Sequence, residues 1–256
     1  MTTPRKLSRG DLQSFKMMGN VAVAPDGRSV AFVIDTIDKE KNEHRNAIWL
    51  LELDEQGRAV EEARQLTSGV KIDTNPVWAA DSRRLLFLSD REDKKQLWLI
   101  DTQGGEAQRL TTMLHGVSDA TWSPDGQWIA FTAVAAPDDE DDVLMGRKTL
   151  DEAEKKKRED EERIRLRTIS SIWYRLDGHG LFDTRSQLFV IPAPVAGEPV
   201  QGDPAAIRRL TSGDFDHVLP QWTPDSAAIS VLCNRADDRD RSWMNDLWVI
   251  NRETGE

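Results

Sequence analysis

The string Val23-Ala-Pro-Asp-Gly27 returns along the chain as Trp78-Ala-Ala-Asp-Ser82, Trp122-Ser-Pro-Asp-Gly126 and Trp222-Thr-Pro-Asp-Ser226. Each aspartate is followed six residues later by Phe32, Phe87, Phe131 or Val231, which closes a short apolar run. A second apolar run comes next: Ala47-Ile-Trp-Leu-Leu51, Gln96-Leu-Trp-Leu-Ile100, Gln187-Leu-Phe-Val-Ile191 and Asp246-Leu-Trp-Val-Ile250. Three of the units then finish in Gln65-Leu-Thr67, Arg109-Leu-Thr111 and Arg209-Leu-Thr211. Proline presets φ for a tight turn, aspartate accepts from nearby backbone amides, and the following residue takes a positive φ, so the motif reads as a hairpin. Each unit is strand, turn, strand, loop, third strand, and a short edge strand around Leu-Thr.

Asp81 and Asp125 lie 44 residues apart, inside the span of roughly 40–45 residues of a four-stranded propeller blade. The fold expected is therefore all-β, a β-propeller of four-stranded antiparallel blades. Blade 1 covers about 17–69, blade 2 about 70–113, blade 3 about 114–213 with an insertion at 136–186, and blade 4 about 214–256. The fourth unit stops after its third strand, so the expectation is three complete blades and most of a fourth. Propellers close with roughly 4–8 blades, and an open blade edge invites aggregation. The reading is that this is the front portion of a longer protein; a four-bladed ring closed by the N-terminal segment is the alternative.

Composition narrows the function classes. Hydrophobic residues are 38% and charged residues 31% of 256, a globular balance, and no apolar run approaches the roughly 20 residues of a membrane helix. Met1-Thr-Thr-Pro-Arg-Lys-Leu-Ser-Arg9 has no apolar stretch and fails as a secretory signal, which makes the cytoplasm the expected compartment. A net charge of -11 opposes nucleic-acid binding. The single cysteine, Cys233, falls in Ala228-Ile-Ser-Val-Leu-Cys233 and reads as core. The tryptophans of the repeat, Trp78, Trp122 and Trp222 before the turn and Trp49, Trp98 and Trp248 in the third strand, read as blade packing.

The insertion carries the candidate binding residues. The acidic run Pro137-Asp-Asp-Glu-Asp-Asp142 lacks the alternating spacing of a cation loop and reads as a solvated loop, with no metal expected. From about Thr149 to Thr168 a charged helix is expected, exposed and packed only at its ends. Ile172-Trp-Tyr-Arg-Leu-Asp-Gly-His-Gly-Leu-Phe-Asp183 is an aromatic, turn-rich loop, and loops on rigid scaffolds collect binding residues. Arg175, Asp177 and His179 are accordingly the candidates for contacting a substrate or a partner domain; the competing reading has Arg175 and Asp177 satisfying one another or the backbone turn. No catalytic residue is assigned. Gly116-Val-Ser-Asp-Ala120 lacks the last glycine of a nucleophile elbow, and His44, His115, His179 and His217 are scattered without metal-ligand spacing. No cofactor is expected.

The Trp-Ser-Pro-Asp-Gly, Leu-Trp-Val-Ile and Arg-Leu-Thr strings resemble the TolB-type propeller repeat. Three further features resemble the N-terminal propeller of the prolyl oligopeptidase family of serine peptidases, in its acylaminoacyl-peptidase-like branch. They are Leu7-Ser-Arg-Gly-Asp-Leu12 running into Val21-Ala-Val-Ala-Pro-Asp-Gly27, Tyr174-Arg-Leu-Asp-Gly178, and Arg208-Arg-Leu-Thr-Ser-Gly-Asp-Phe-Asp216. The resemblance implies a seven-bladed propeller followed by an α/β-hydrolase domain whose Ser, Asp and His hydrolyse short peptides while the propeller excludes folded ones. No residue of this chain matches the triad motifs. The implied partners are short peptides, reached through that absent domain, and the C-terminal hydrolase domain itself; neither nucleic acid nor membrane is among them, and association with a second copy stays open. A non-enzymatic TolB-type scaffold is the alternative. A carbohydrate or lyase propeller would call for more loop aromatics than Trp173, Tyr174 and Trp243.

Overall fold

The structure is a computed structural model. It describes residues 6, 8–166, 168, 175–176, 180–181, 184–195, 197, 202–239, 241–242 and 244–256. The chain divides into two compact units, Met1–Arg109 and Leu110–Glu256. No helix among the described residues is long and apolar enough to cross a membrane.

The first unit opens with the short helix α1 (Arg9–Leu12), where the Ser8 amide and hydroxyl both donate to the Asp11 carboxylate. Two antiparallel sheets follow, each in sequential order. The first is β1 (Met17–Val23), β2 (Ser29–Asp38), β3 (Glu43–Glu52) and β4 (Arg64–Gln65); the second is β5 (Asp73–Trp78), β6 (Arg84–Ser89), β7 (Gln96–Asp101) and β8 (Gln108–Arg109). Between them lies a core that includes Val33, Ile48, Leu50, Trp78, Leu85, Phe87 and Trp98.

The second unit repeats the plan. Its first sheet uses β9 (Val117–Trp122) and β10 (Trp128–Ala135). The helices α2 (Asp141–Leu144) and α3 (Glu152–Ile164) and the two-stranded ladder β11 (Arg175–Leu176) and β12 (Gly180–Leu181) come next in the chain. The sheet then resumes with β13 (Arg185–Pro192) and β14 (Arg208–Arg209), giving the order β14-β13-β10-β9. A three-stranded sheet of β15 (Val218–Trp222), β16 (Ala228–Cys233) and β17 (Asp246–Asn251) completes the unit. Ala130, Leu188, Val190, Ile229, Val231 and Ile250 form its core. Cys233 is buried, as expected for a strand residue on the core face.

The outer strands differ in one detail from the expectation. Pairing uses the two residues before Leu-Thr, and the threonine that follows turns its hydroxyl onto the third strand: Thr67 Oγ1 accepts from the Ile48 amide at 3.0 Å and Thr211 Oγ1 from the Leu188 amide at 2.9 Å. The chain leaves the ladder there because a side-chain acceptor has replaced the backbone carbonyl.

The turns explain an alternation in the repeat. Asp26, Asp81, Asp125 and Asp225 each accept a backbone amide two residues on, at 2.9, 2.9, 2.9 and 3.1 Å. The next residue takes a positive φ, which suits Gly27 and Gly126 but strains Ser82 (φ 56°) and Ser226 (φ 59°). Each serine offsets the strain with a hydrogen bond, its hydroxyl accepting the turn-aspartate amide of the preceding sheet: Asp26 N to Ser82 Oγ at 3.0 Å, Asp125 N to Ser226 Oγ at 3.1 Å. Beside them Trp78 Nε1 donates to Ala22 O at 3.0 Å and Trp222 Nε1 to Thr121 O at 3.3 Å. Ser226→Ala keeps the strain and loses the bond, and is expected to cost about 1–2 kcal/mol in urea unfolding. Ser226→Gly sheds the strain and should cost less; equal stability of Ser226→Ala and the parent would contradict this role.

A bulge in the first strand of three sheets places Asn20, Asn75 and Leu219 at positive φ, each six residues before its turn aspartate. Asparagine adopts that conformation at less cost than leucine. Leu219 is 57% exposed, so little burial is lost on replacement. Leu219→Asn is expected to stabilise the chain by about 0.5–1 kcal/mol, read as a raised urea midpoint; a lowered midpoint would contradict it.

Candidate functional site

One end of the second unit, opposite the Pro-Asp turns, gathers its least ordinary chemistry. The register fixes which residues meet there: Ala135 pairs with Arg185, Ala133 with Val117, and Cys233 with Asp246. Two repeat residues hold the first loop of this rim. Thr211 Oγ1 donates to Gln187 Oε1 at 2.8 Å, and Gln187 Nε2 donates to the carbonyls of Gly213 and Phe215, both at 3.1 Å. Gln187 and Thr211 are buried, so this network is shielded from competing water. The loop is tied again to Ser186, whose amide donates to Asp216 and whose carbonyl accepts from the His217 amide.

The side chains so placed form a cluster. Arg235 lies over the Trp248 ring at 4.1 Å and the Phe215 ring at 5.7 Å, and donates to His217 Nε2 at 2.9 Å. Arg239 lies 5.2 Å from the centroid of the Phe215 ring and pairs with Asp214 at 2.8 Å; Arg185 pairs with the other oxygen of Asp214, also at 2.8 Å. His217 is fully buried. Burial, and then the Arg235 charge beside it, holds its imidazole below the ordinary histidine range, so at neutral pH it is uncharged and accepts from Arg235. Cys233 nearby has its thiol pushed up by burial and stays protonated.

The acidic run is exposed, as a solvated loop would be, except at Asp139. The Asp139 side chain has no exposure; it accepts from His115 Nε2 at 2.9 Å and the Ala136 amide at 2.7 Å, and pairs with Arg158 of α3. Burial alone would raise its carboxyl, but those donors outweigh it and bring it below the usual carboxylate range. The neighbours are also paired: Asp138 with Arg165, Asp141 with Arg209, and Asp142 with Arg147. Asp139 is therefore an anchor for α3, while the rest of the run pairs at the surface. Val143 and Leu144 of α2 are buried, and Gly146 (φ 73°) passes so close to Thr112 that a Cβ would sit 2.6 Å from its carbonyl oxygen. By contrast α3 is shorter than expected, capped by Asp151 and Glu154, and buries no residue.

Of the residues singled out in the sequence, Arg175 lies on β11, where its backbone pairs with Leu181. Asp177 and His179 lie outside the described residues, as do Trp173, Tyr174 and Trp243. The tryptophan reading holds for Trp78, Trp98 and Trp122, which are buried, whereas Trp248 is 36% exposed under Arg235. Sequence reasoning assigns no role to His217, one of four scattered histidines, or to Asp139, one of the acidic run, and does not pick out Arg235. Aligning the repeats brings out His217 and Arg235, because Asp73 and Arg91 occupy the same places, eight residues before and ten residues after the turn aspartate. Among the described residues there is no group of His, Cys, Asp and Glu arranged to hold a metal ion.

Comparison with known proteins points in one direction. The family model described as the TolB beta propeller domain matches residues 7–155. The uncharacterized peptidase YuxL of Bacillus subtilis is 30% identical over 246 residues, 95% of this chain and 34% of YuxL. Dipeptidyl-peptidase 5 of Porphyromonas gingivalis is 26% identical over 134 residues, 52% of this chain and 18% of that protein. The chain thus spans about a third or less of the length of the curated relatives it matches. Among solved structures, Pyrococcus horikoshii acylaminoacyl peptidase superposes with a TM-score of 0.60 at 15% identity, over 95% of this chain and 32% of that one. TolB from Acinetobacter baumannii gives 0.53 at 17% identity, over 94% and 42%. These two likenesses establish a shared fold.

Proposed function

The chain belongs to the TolB β-propeller domain family, and we propose that it is the propeller portion of a serine peptidase that hydrolyses short peptides. The observation that carries this reading is the 30% identity to peptidase YuxL along 95% of the chain. In this reading the finer architecture is a seven-bladed ring to which the chain contributes three complete blades and most of a fourth. The helices α2 and α3 belong to an insertion in the third blade, and the protein works in the cytoplasm. The catalytic Ser, Asp and His belong to a hydrolase domain outside residues 1–256, and the propeller admits short peptides while turning away folded proteins.

Helix α3 and the β11–β12 ladder would supply the parts of such a gate, because they lie in the chain between the ends of β10 and β13, next to a loop fixed by buried hydrogen bonds. Arg175, Asp177 and His179 are proposed to contact the peptide or the hydrolase domain. The test uses the full-length gene product with acylated and dipeptidyl chromogenic substrates and with casein. Hydrolysis of the short substrates and sparing of casein is expected. Arg175→Ala should lower kcat/KM for short peptides by about tenfold, the loss of one charge-assisted hydrogen bond, with the melting temperature unchanged. Equal loss of activity and stability would make the ladder structural. The second reading, a TolB-type scaffold without catalysis, has the match to the TolB family model in its favour; absence of any hydrolysis by the full-length product would select it.

A further inference from the structure

The second and fourth sheets carry the same arginine in two different settings. Arg91 and Arg235 each stand ten residues after their turn aspartate, with Ser89 and Cys233 two residues before them and Asp73 and His217 eight residues before the turn aspartate; Ser89 pairs with Asp73. Each guanidinium lies over the tryptophan of the third strand, Arg91 at 4.6 Å from Trp98 and Arg235 at 4.1 Å from Trp248. In the second sheet the cation is neutralised internally. Arg91 donates to both oxygens of Asp73, at 3.0 and 3.1 Å, and its Nε donates to Ser89 Oγ at 2.9 Å; the Asp73 side chain is 1% exposed. In the fourth sheet both acceptors are exchanged, Asp73 for uncharged His217 and Ser89 for Cys233. Arg235 Nε and His217 Nδ1 are buried without a hydrogen-bond partner. Among the described residues no carboxylate lies within ion-pair distance of Arg235. Asp214 is shared by Arg185 and Arg239, and Asp216 accepts from the Ser186 amide.

A guanidinium stacked on an aromatic ring is held in place, with most of its ordering entropy already lost, which suits it to planar recognition of a carboxylate. We infer that Arg235, with Arg239 across the Phe215 ring, binds a carboxylate that the bound peptide supplies, where the second sheet supplies its own through Asp73. The inference rests on the reading of this chain as a peptidase propeller, and it names the part of the substrate that this rim takes. The carboxylate is either the peptide's C-terminus or an acidic side chain.

Titration calorimetry on this chain separates the sources and does not depend on hydrolysis. The probes are tri-alanine, tri-alanine amide, and N-acetyl-Ala-Asp-Ala amide. One or both carboxylate peptides should bind with saturation below about 10 mM, tri-alanine amide should not, and the carboxylate peptide that binds identifies the source. His217→Asp installs the acceptor of the second sheet and should weaken binding by at least about tenfold; Arg235→Gln should do the same, while Arg91→Gln leaves binding unchanged. Circular dichroism checks that each variant is folded, and Arg235→Gln decides the question if His217→Asp is not. Equal binding of acid and amide, unaltered binding by the folded variants, or no binding by the parent chain overturns the assignment. Loss of this site would leave peptide hydrolysis by the full-length protein to be judged on its own assay.

Discussion

Replacing Asp139 with Ala is expected to lower the stability of the Leu110–Glu256 unit by about 3 kcal/mol. The side chain is fully buried and holds three donors. Removing it strands the His115 ring nitrogen and the Ala136 amide, and leaves Arg158 without its carboxylate. The lower end of the range for a broken buried pair applies because Arg158 is itself 38% exposed and can rehydrate. For a unit of this size the melting temperature should fall by roughly 6–12 °C. Helix α3 should loosen first, since it buries no residue of its own and is fastened at its middle by Arg158. Trypsin should therefore cut between Lys155 and Arg165 faster in Asp139→Ala, and in the milder Asp139→Asn, than in the parent. An unchanged melting temperature together with unchanged cleavage would contradict the anchoring role. The same group gives a pH dependence of definite sign. Its folded carboxyl lies below the ordinary value near about 3.9, so its stabilisation is complete above that value and is lost as pH falls through the folded one. Asp139→Asn should flatten the acid limb of the stability profile and leave its shape above pH 5 as in the parent.

Phe131→Ala should cost about 3–5 kcal/mol. Phe131 on β10 and Phe189 on β13 pair directly across the ladder, with ring centroids 5.5 Å apart, and both are fully buried. Deleting one ring removes its burial and leaves a cavity that a sheet held on both sides by hydrogen bonds cannot collapse to fill. The loss should extend to the rim, because Gln187 and Leu188, the residues that hold Thr211 and the 213–217 loop, are the two positions immediately before Phe189 on β13. Urea unfolding measures the cost. A loss below about 1 kcal/mol would mean that this pair is not core, contrary to the burial argument.

The repeat made the sheets legible because each unit states the same chemistry: a turn aspartate, a phenylalanine or valine six residues on, and a Leu-Thr exit. Those are local rules: the turn aspartate and the apolar residue six positions on recur in all four sheets, and the Leu-Thr exit in three of them. The helix was legible for the same reason, although its ends at Glu152 and Ile164 lie inside the charged stretch, where capping by Asp151 and not composition sets the start. The rim was not legible. Asp139 stands among acidic residues that all look solvated, and only the approach of His115 and Arg158 from elsewhere in the chain separates it from Asp138 and Glu140. Arg235 likewise reads as one more charge in a polar loop. Its meaning comes from Trp248 and His217, and the substitution of His217 for Asp73 stands out only when the sheets are laid side by side. The positive φ of Ser82 and Ser226 could have been read from the motif, since serine replaces glycine there, but its compensation lies in the neighbouring sheet.

Covalent labelling of the full-length gene product with a fluorophosphonate tests most directly the proposal that the chain is the propeller portion of a serine peptidase. The predicted result is one label per molecule, mapped by peptide mass to a serine outside residues 1–256, with loss of short-peptide hydrolysis in proportion to labelling. Absence of labelling and of hydrolysis, or a label on a serine within residues 1–256, would contradict it.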